Sequence, residues 1–393
     1  MKQSEIVLCG ALFWFLIYTS GMRCVMLMII MPKSGGKGTT TGKKWVSYFD
    51  ALRVVAALAV VFIHVSARRW SSQDISTVQW QASNFWDGIA RWAVPIFIMI
   101  SGALMLNPEK RFSMKKLYSK NILRLVIAFV SWSLCYLLFE TIVLKNYRGK
   151  GWALRAFISG GYHMWFMYMI IGLYIATPVL RLIVRDEKMT EYFLIIGIVI
   201  SYILPGIRTL CSGWELATGN RIAEAVAADV GVVTGAMRFE FASGYVLYYV
   251  LGYWLYKNKT SKKMRIVYYI LGVLGLVLTF YFGLKVSLAS GKKSNIFEER
   301  SPWVLMQAMA LFVFAKYHLE RFGQRKLVKV IAPLSFGIYL VHALMIEVLL
   351  TWVFRGIELN YFTIPLVAFS TFAASVLIIW LISKIPVVGK YVV

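Results

Sequence analysis

Apolar residues in this chain do not alternate with polar ones. They come in runs of roughly 20, separated by short polar stretches. Ten such runs predict helices near 45–66, 85–106, 117–144, 162–184, 191–210, 240–256, 265–288, 301–319, 328–354 and 361–385. A run of this length crosses a bilayer as a helix, because lipid offers the backbone no hydrogen-bond partner. An earlier run, Ile6 to Ile30, is long enough to be an eleventh span despite Arg23, although Met22, Met26, Met28 and Met31 also offer later starts. The linker Pro32 to Lys44 is rich in Gly, Thr and Lys. It is no phosphate loop, since Lys37 and Lys44 stand where Gly and Ser/Thr are needed. The pattern therefore predicts an all-α polytopic membrane helical bundle over 45–386, preceded by an apolar segment and linker over 1–44.

Composition strengthens that reading. Of 393 residues, 59% are hydrophobic and only 16% charged, where a soluble domain carries about 25%. Cys9, Cys24, Cys135 and Cys211 are scattered and show neither disulfide-framework nor zinc-ligand spacing, so no metal is expected. The net charge of +25 sits in short loops, which points to membrane lipid headgroups and not to nucleic acid. Loops on the side of Lys43 and Lys44 include Lys110–Arg111, Lys115–Lys116, Lys257 to Arg265 and Arg321 to Lys329, and they hold the larger share of Lys and Arg. That side is expected to be cytoplasmic, with both ends of the core. The longest loop on the other side, 208–239, is mixed in charge, and Asn220 to Val233 is expected to form a surface helix. Oligomeric state is not legible.

Ionisable groups within spans are costly and therefore candidates for function. Arg53 and His64 in the first span are eleven residues apart, which returns them to nearly the same helix face about 16 Å apart along the axis. A guanidinium suits phosphate and an imidazole suits proton transfer near neutral pH. The competing reading is an arginine snorkelling to headgroups and a satisfied interfacial histidine. Further candidates are Arg91 before Ala93-Val94-Pro95, Lys120 and Arg124 entering the third span, His163 with Trp165 opening the fourth, and Tyr339, His342 and Glu347 in the ninth.

At these residues the chain resembles the integral-membrane acyltransferase family 3, over essentially 45–386. The likeness is nearest to its compact members of the enterobacterial common antigen acetyltransferase type, which O-acetylate surface polysaccharides. Four segments carry it: Tyr48-Phe-Asp50-Ala-Leu-Arg53 with His64, Arg91-Trp-Ala-Val-Pro95-Ile-Phe97 with Ser101-Gly102, His163-Met-Trp165-Phe166 with Thr177-Pro178, and Ser335-Phe-Gly337-Ile-Tyr339-Leu-Val-His342. Two departures stand out. The paired arginines of the third span appear as Asn121-Ile-Leu-Arg124, and no soluble esterase-like domain follows the core.

The resemblance implies about ten helices around a central cavity in a bacterial plasma membrane. It implies cytoplasmic acetyl-CoA as donor and, as acceptor, an outward-facing hydroxyl of a surface polysaccharide or lipid-linked saccharide. On that basis Arg53, Lys120 and Arg124 are expected to hold CoA phosphates, with His64 as general base and His163 and Glu347 as alternative catalytic groups. Arg91, Trp165, Tyr339 and His342 are expected to bind substrate. A covalent acyl-histidine variant, a succinyl or longer donor, and a saccharide transporter without acyl transfer all remain open at this point.

Overall fold

The computed structural model describes residues 46–237, 244–291, 293, 298–386 and 389. The N-terminal apolar run and linker, with Cys9 and Cys24, lie outside them. The described residues are helical, without strands.

The first helix, α1 (Ser47–Trp70), carries Asp50 in its first turn and Arg68 and Arg69 in its last, the charge order that suits a helix dipole. A seven-residue turn leads to α2 (Val78–Ala90), whose N-terminus is capped by the Thr77 hydroxyl accepting from the Trp80 amide. Then comes α3 (Ala93–Met105). These two are one predicted span that starts earlier than its apolar run suggests, and Val78–Met105 is long enough to cross. The break at Arg91 and Trp92 has a covalent cause. Pro95 has no amide hydrogen to offer the carbonyl four residues back, which is that of Arg91.

The remaining α-helices of eight or more residues are α4 (Leu123–Leu138), α5 (Lys150–Ser159), α6 (Trp165–Ile183), α7 (Glu187–Ile198), α8 (Leu204–Thr218), α9 (Arg221–Met237), α10 (Tyr245–Lys257), α11 (Lys262–Ser290), α12 (Pro302–His318), α13 (Ser335–Val348) and α14 (Thr363–Ser383). Wide turns of π type extend α4 at both ends and join α7 to α8. Eight described helices or continuous helix pairs are long and apolar enough to cross a membrane. The other two predicted spans are α10 and α12, with 13 and 17 residues. The predicted surface helix is found as α9, packed on α8. The short α5 is not foreshadowed by any apolar run.

The first helix is the hub. In its apolar stretch 72% of residues are buried, against 22% in α11, and it packs on α2, α3, α13 and α14. A second tight seam joins α3 to α10. A Cβ on Gly102 would lie 1.8 Å from the Tyr249 carbonyl oxygen, and one on Gly252 would lie 2.1 Å from that of Met99. Only glycine on both helices lets the backbones touch. At the end of α3, Arg181 from α6 donates to the carbonyls of Met105, Asn107 and Lys110 at 2.9, 2.6 and 2.8 Å. A cation there meets the last carbonyl of α3 and two of the loop that follows it.

Candidate functional site

The eleven-residue spacing on α1 does what helical geometry requires. Arg53 and His64 open onto two different cavities, and Val60, which lies between them on the same face, lines both. The cavity on the Arg53 side holds about 460 Å³ and the one on the His64 side about 400 Å³. Four side chains from four helices belong to both walls: Val60 of α1, Val94 of α3, Phe166 of α6 and Tyr339 of α13. They form the partition between the chambers.

The Arg53 chamber is cationic. Arg53, Lys120 and Arg124 all line it, among Ser101, Tyr174 and Phe336, and no acidic side chain does so among the described residues. Arg53 is oriented by Asp50, one turn back on α1, at 2.9 Å. Asp50 is itself only 2% exposed. Arg124 lies over the Phe336 ring at 5.8 Å. The wide turn Leu117–Ile122 puts Lys120 on this wall, although the second arginine that the resemblance leads one to expect in this region is absent.

The His64 chamber is lined by His64, Arg68, Arg91, Tyr162, His163, Trp165, Glu299 and Tyr339, with the four partition residues included where they overlap. Three imidazoles converge here, from α1, α13 and the turn before α6. Ring centroids are 5.0 Å apart for His64 and His342, 4.8 Å for His163 and His342, and 6.1 Å for His64 and His163. Hydrogen bonds fix the frame around them. The Tyr339 hydroxyl donates to the His163 carbonyl at 2.6 Å, and His342 Nδ1 lies 2.5 Å from the Tyr339 carbonyl oxygen. From α4, the Tyr136 hydroxyl donates to the Leu340 carbonyl at 2.8 Å and accepts from the Leu344 amide at 3.2 Å. It thus sits inside the backbone ladder of α13, in the turn that carries His342. The three imidazoles do not form a group able to hold a metal ion, judged over the described residues.

Arg91 is clamped by carboxylates on two sides, with Asp87 at 2.5 Å and Glu299 at 3.2 Å. Sequence reasoning singles out Arg91 and misses both partners. Asp87 stands four residues before Arg91, a helical pair visible in hindsight. Glu299 lies in the segment before α12 and carries no local signal. A smaller annex of about 300 Å³ continues from here, lined by Trp70, Ser71, Asp87, Arg91, Glu298 and Glu299.

Of the residues singled out from sequence, the structure brings Arg53, Lys120 and Arg124 together in one chamber. It brings His64, His163, Arg91, Trp165 and Tyr339 together in the other. Two candidates stand off the cavity walls. His342 is fully buried behind His64, and Glu347 is held by Arg68 at 2.5 Å. Tyr136 belongs to the same cluster and is not singled out by the sequence, where it reads as one more aromatic residue in an apolar run.

With this geometry in place, comparison with known proteins gives one match. A family model described as an acyltransferase domain, that of acyltransferase family 3, covers residues 46–384. No curated protein and no solved structure matches the chain.

Proposed function

The chain belongs to acyltransferase family 3 and is a multi-pass membrane acyltransferase, and from that premise we propose that it moves an acetyl group from cytoplasmic acetyl-CoA to a hydroxyl of a cell-surface or lipid-linked saccharide. The observation that carries this reading is the pair of chambers sharing one partition, cationic on one side and imidazole-lined on the other. Acyl transfer across a membrane needs that arrangement, because donor and acceptor approach from opposite faces.

In this reading Arg53, Lys120 and Arg124 bind the CoA phosphates by charge-assisted contacts. The pantetheine arm runs past Val60 and carries the thioester through the partition toward His64. The rise from Arg53 to His64, about 16 Å, is of the order of that arm. The acceptor hydroxyl enters the His64 chamber, where Trp165 and Tyr162 offer aromatic faces to a sugar ring. His64 takes the hydroxyl proton as the oxygen attacks the thioester carbon. The tetrahedral intermediate then collapses, the carbon–sulfur bond breaks, and the proton on His64 goes to the departing sulfur. The products are an O-acetyl ester and free CoA. Arg91 lines this chamber, held in place by Asp87 and Glu299, and supports the oxyanion electrostatically. Loop charge supports the Arg53 side as cytoplasmic, since Lys110, Lys115 and Lys116 lie at that end.

The test is thiol release from acetyl-CoA by purified protein, with base-deacetylated surface polysaccharide as acceptor. The expected result is acceptor-dependent thiol release, with acetyl appearing on the polymer. Uptake or passage of saccharide without any thiol release would place the chain outside acyl transfer and overturn the reading.

A further inference from the structure

His342 sits against the reacting imidazole without reaching the cavity. It is 0% exposed and lines neither chamber. Its Nδ1 faces the Tyr339 carbonyl oxygen at 2.5 Å. A carbonyl oxygen only accepts, so Nδ1 carries the hydrogen. A neutral imidazole protonated there has its lone pair on Nε2. That Nε2 is buried and has no hydrogen-bond partner. A buried acceptor left open is costly, so something close by is placed to fill it.

Two rings are within reach. His163 stands edge-on to His342, at 74° between planes, and the His64 ring is 34° from parallel with it at 5.0 Å between centroids. Two imidazoles joined by one N–H···N bond have centroids about 5 Å apart, the bond plus the two ring radii. The 5.0 Å between the His64 and His342 centroids matches that separation.

We propose that His342 is a positioning residue for His64, its Nε2 accepting the N–H of His64 and so fixing the tautomer whose other nitrogen is bare toward the cavity. This rests on the reading of His64 as the base. As His64 takes the acceptor's proton it becomes imidazolium, and the N–H already shared with His342 disperses the new charge. In many hydrolytic sites a carboxylate plays this orienting part. Here the orienting group is uncharged in the resting state, which avoids leaving a lone anion in an apolar bundle. The chain is anchored at both ends. Tyr339 holds His342 through its carbonyl and His163 through its hydroxyl, while Tyr136 pins the backbone of the same turn.

The experiment uses the full chain in lipid nanodiscs, acetyl-CoA and base-deacetylated surface polysaccharide. His342→Phe keeps the ring's bulk and removes the acceptor. It should lower kcat by about 10- to 100-fold, the loss that misorientation of a reacting group produces, with the KM for acetyl-CoA unchanged. His342→Gln places a carbonyl oxygen near the position of Nε2 and should recover most of that loss. A Phe variant as fast as the parent, or a Gln variant no better than Phe, would sink the proposal. If the Phe variant no longer binds acetyl-CoA and has therefore misfolded, ¹⁵N shifts of the parent's histidines decide. Hydrogen on Nδ1 of His342, and a lone pair on Nε2 bonded to His64, is the expected pattern, and hydrogen on Nε2 overturns it. His64→Ala separates this proposal from its premise. Retained activity there removes the base itself, whereas a dead His64→Ala beside a normal His342→Phe removes only the positioning role.

Discussion

The two chambers are nearly equal in volume and opposite in construction. The Arg53 chamber presents three cations from two helical segments. Arg53 leans on the Asp50 carboxylate, and no acidic side chain lines the chamber among the described residues. The His64 chamber is internally braced. Arg91 is held by two carboxylates, Arg68 by Glu347, His163 by Tyr339, and His342 by the turn it belongs to. A site that grips a strongly charged ligand needs open charge, because the ligand supplies the countercharge. A site that moves a proton needs its groups fixed beforehand, because geometry sets the rate. In the reading proposed above, one chamber holds and the other reacts.

Four measurements can break or sharpen that contrast. The broadest concerns sides. A reporter at Lys262 should label as cytoplasmic and one at Ser76 as external, since they lie at opposite ends of the bundle and the Lys262 loop is dense in basic residues. The reverse at both positions would exchange the roles of donor and acceptor sides. Next in size is His64. His64→Ala should cut the chemical rate by at least about 100-fold, and acetyl-CoA binding should survive in the other chamber. His64→Gln should fail as badly, because an amide does not take up a proton; if Gln restores the rate, His64 only orients a partner. Smaller is Arg53. Arg53→Ala should raise the KM for acetyl-CoA by about tenfold or more, the worth of one charged hydrogen bond, with Arg53→Lys intermediate because charge survives and the planar fork does not. Unchanged donor dependence would return Arg53 to the headgroups. Smallest is Tyr339→Phe. It removes the hydroxyl that holds the His163 carbonyl and should slow turnover by roughly 3- to 10-fold, a typical neutral hydrogen bond, without changing donor KM. A rise in KM alone would make Tyr339 part of the donor chamber only.

The helices are legible because lipid imposes a length and a composition on every crossing, and all ten predicted runs are found as helices. The shared face of Arg53 and His64 is legible because the helix repeats every 3.6 residues. Partners from distant segments are a different matter. Nothing along the chain ties Glu299 to Arg91, 208 residues away, or Tyr136 to the turn of His342. Those pairings come from packing, which a linear pattern does not encode. The position of His342 shows the limit most clearly. Helical spacing places it in the right span, yet whether it faces a cavity or the back of another imidazole depends on how α13 is rotated against α1. The short α5 is missed for a related reason, since it lies between spans and carries neither their length nor their hydropathy.

The paired glycines of the α3–α10 seam bear on how the two chambers communicate. Backbone contact at these glycines packs α3, which carries Val94, tightly against α10. Val60 belongs to the hub helix, packed on four sides. Half of the partition, Val60 and Val94, therefore stands on closely packed helices. The other half is aromatic, Phe166 and Tyr339. Tyr339 binds the His163 carbonyl through its hydroxyl and the His342 ring through its own carbonyl, so one wall residue shared by both chambers is tied by hydrogen bonds to two of the three histidines.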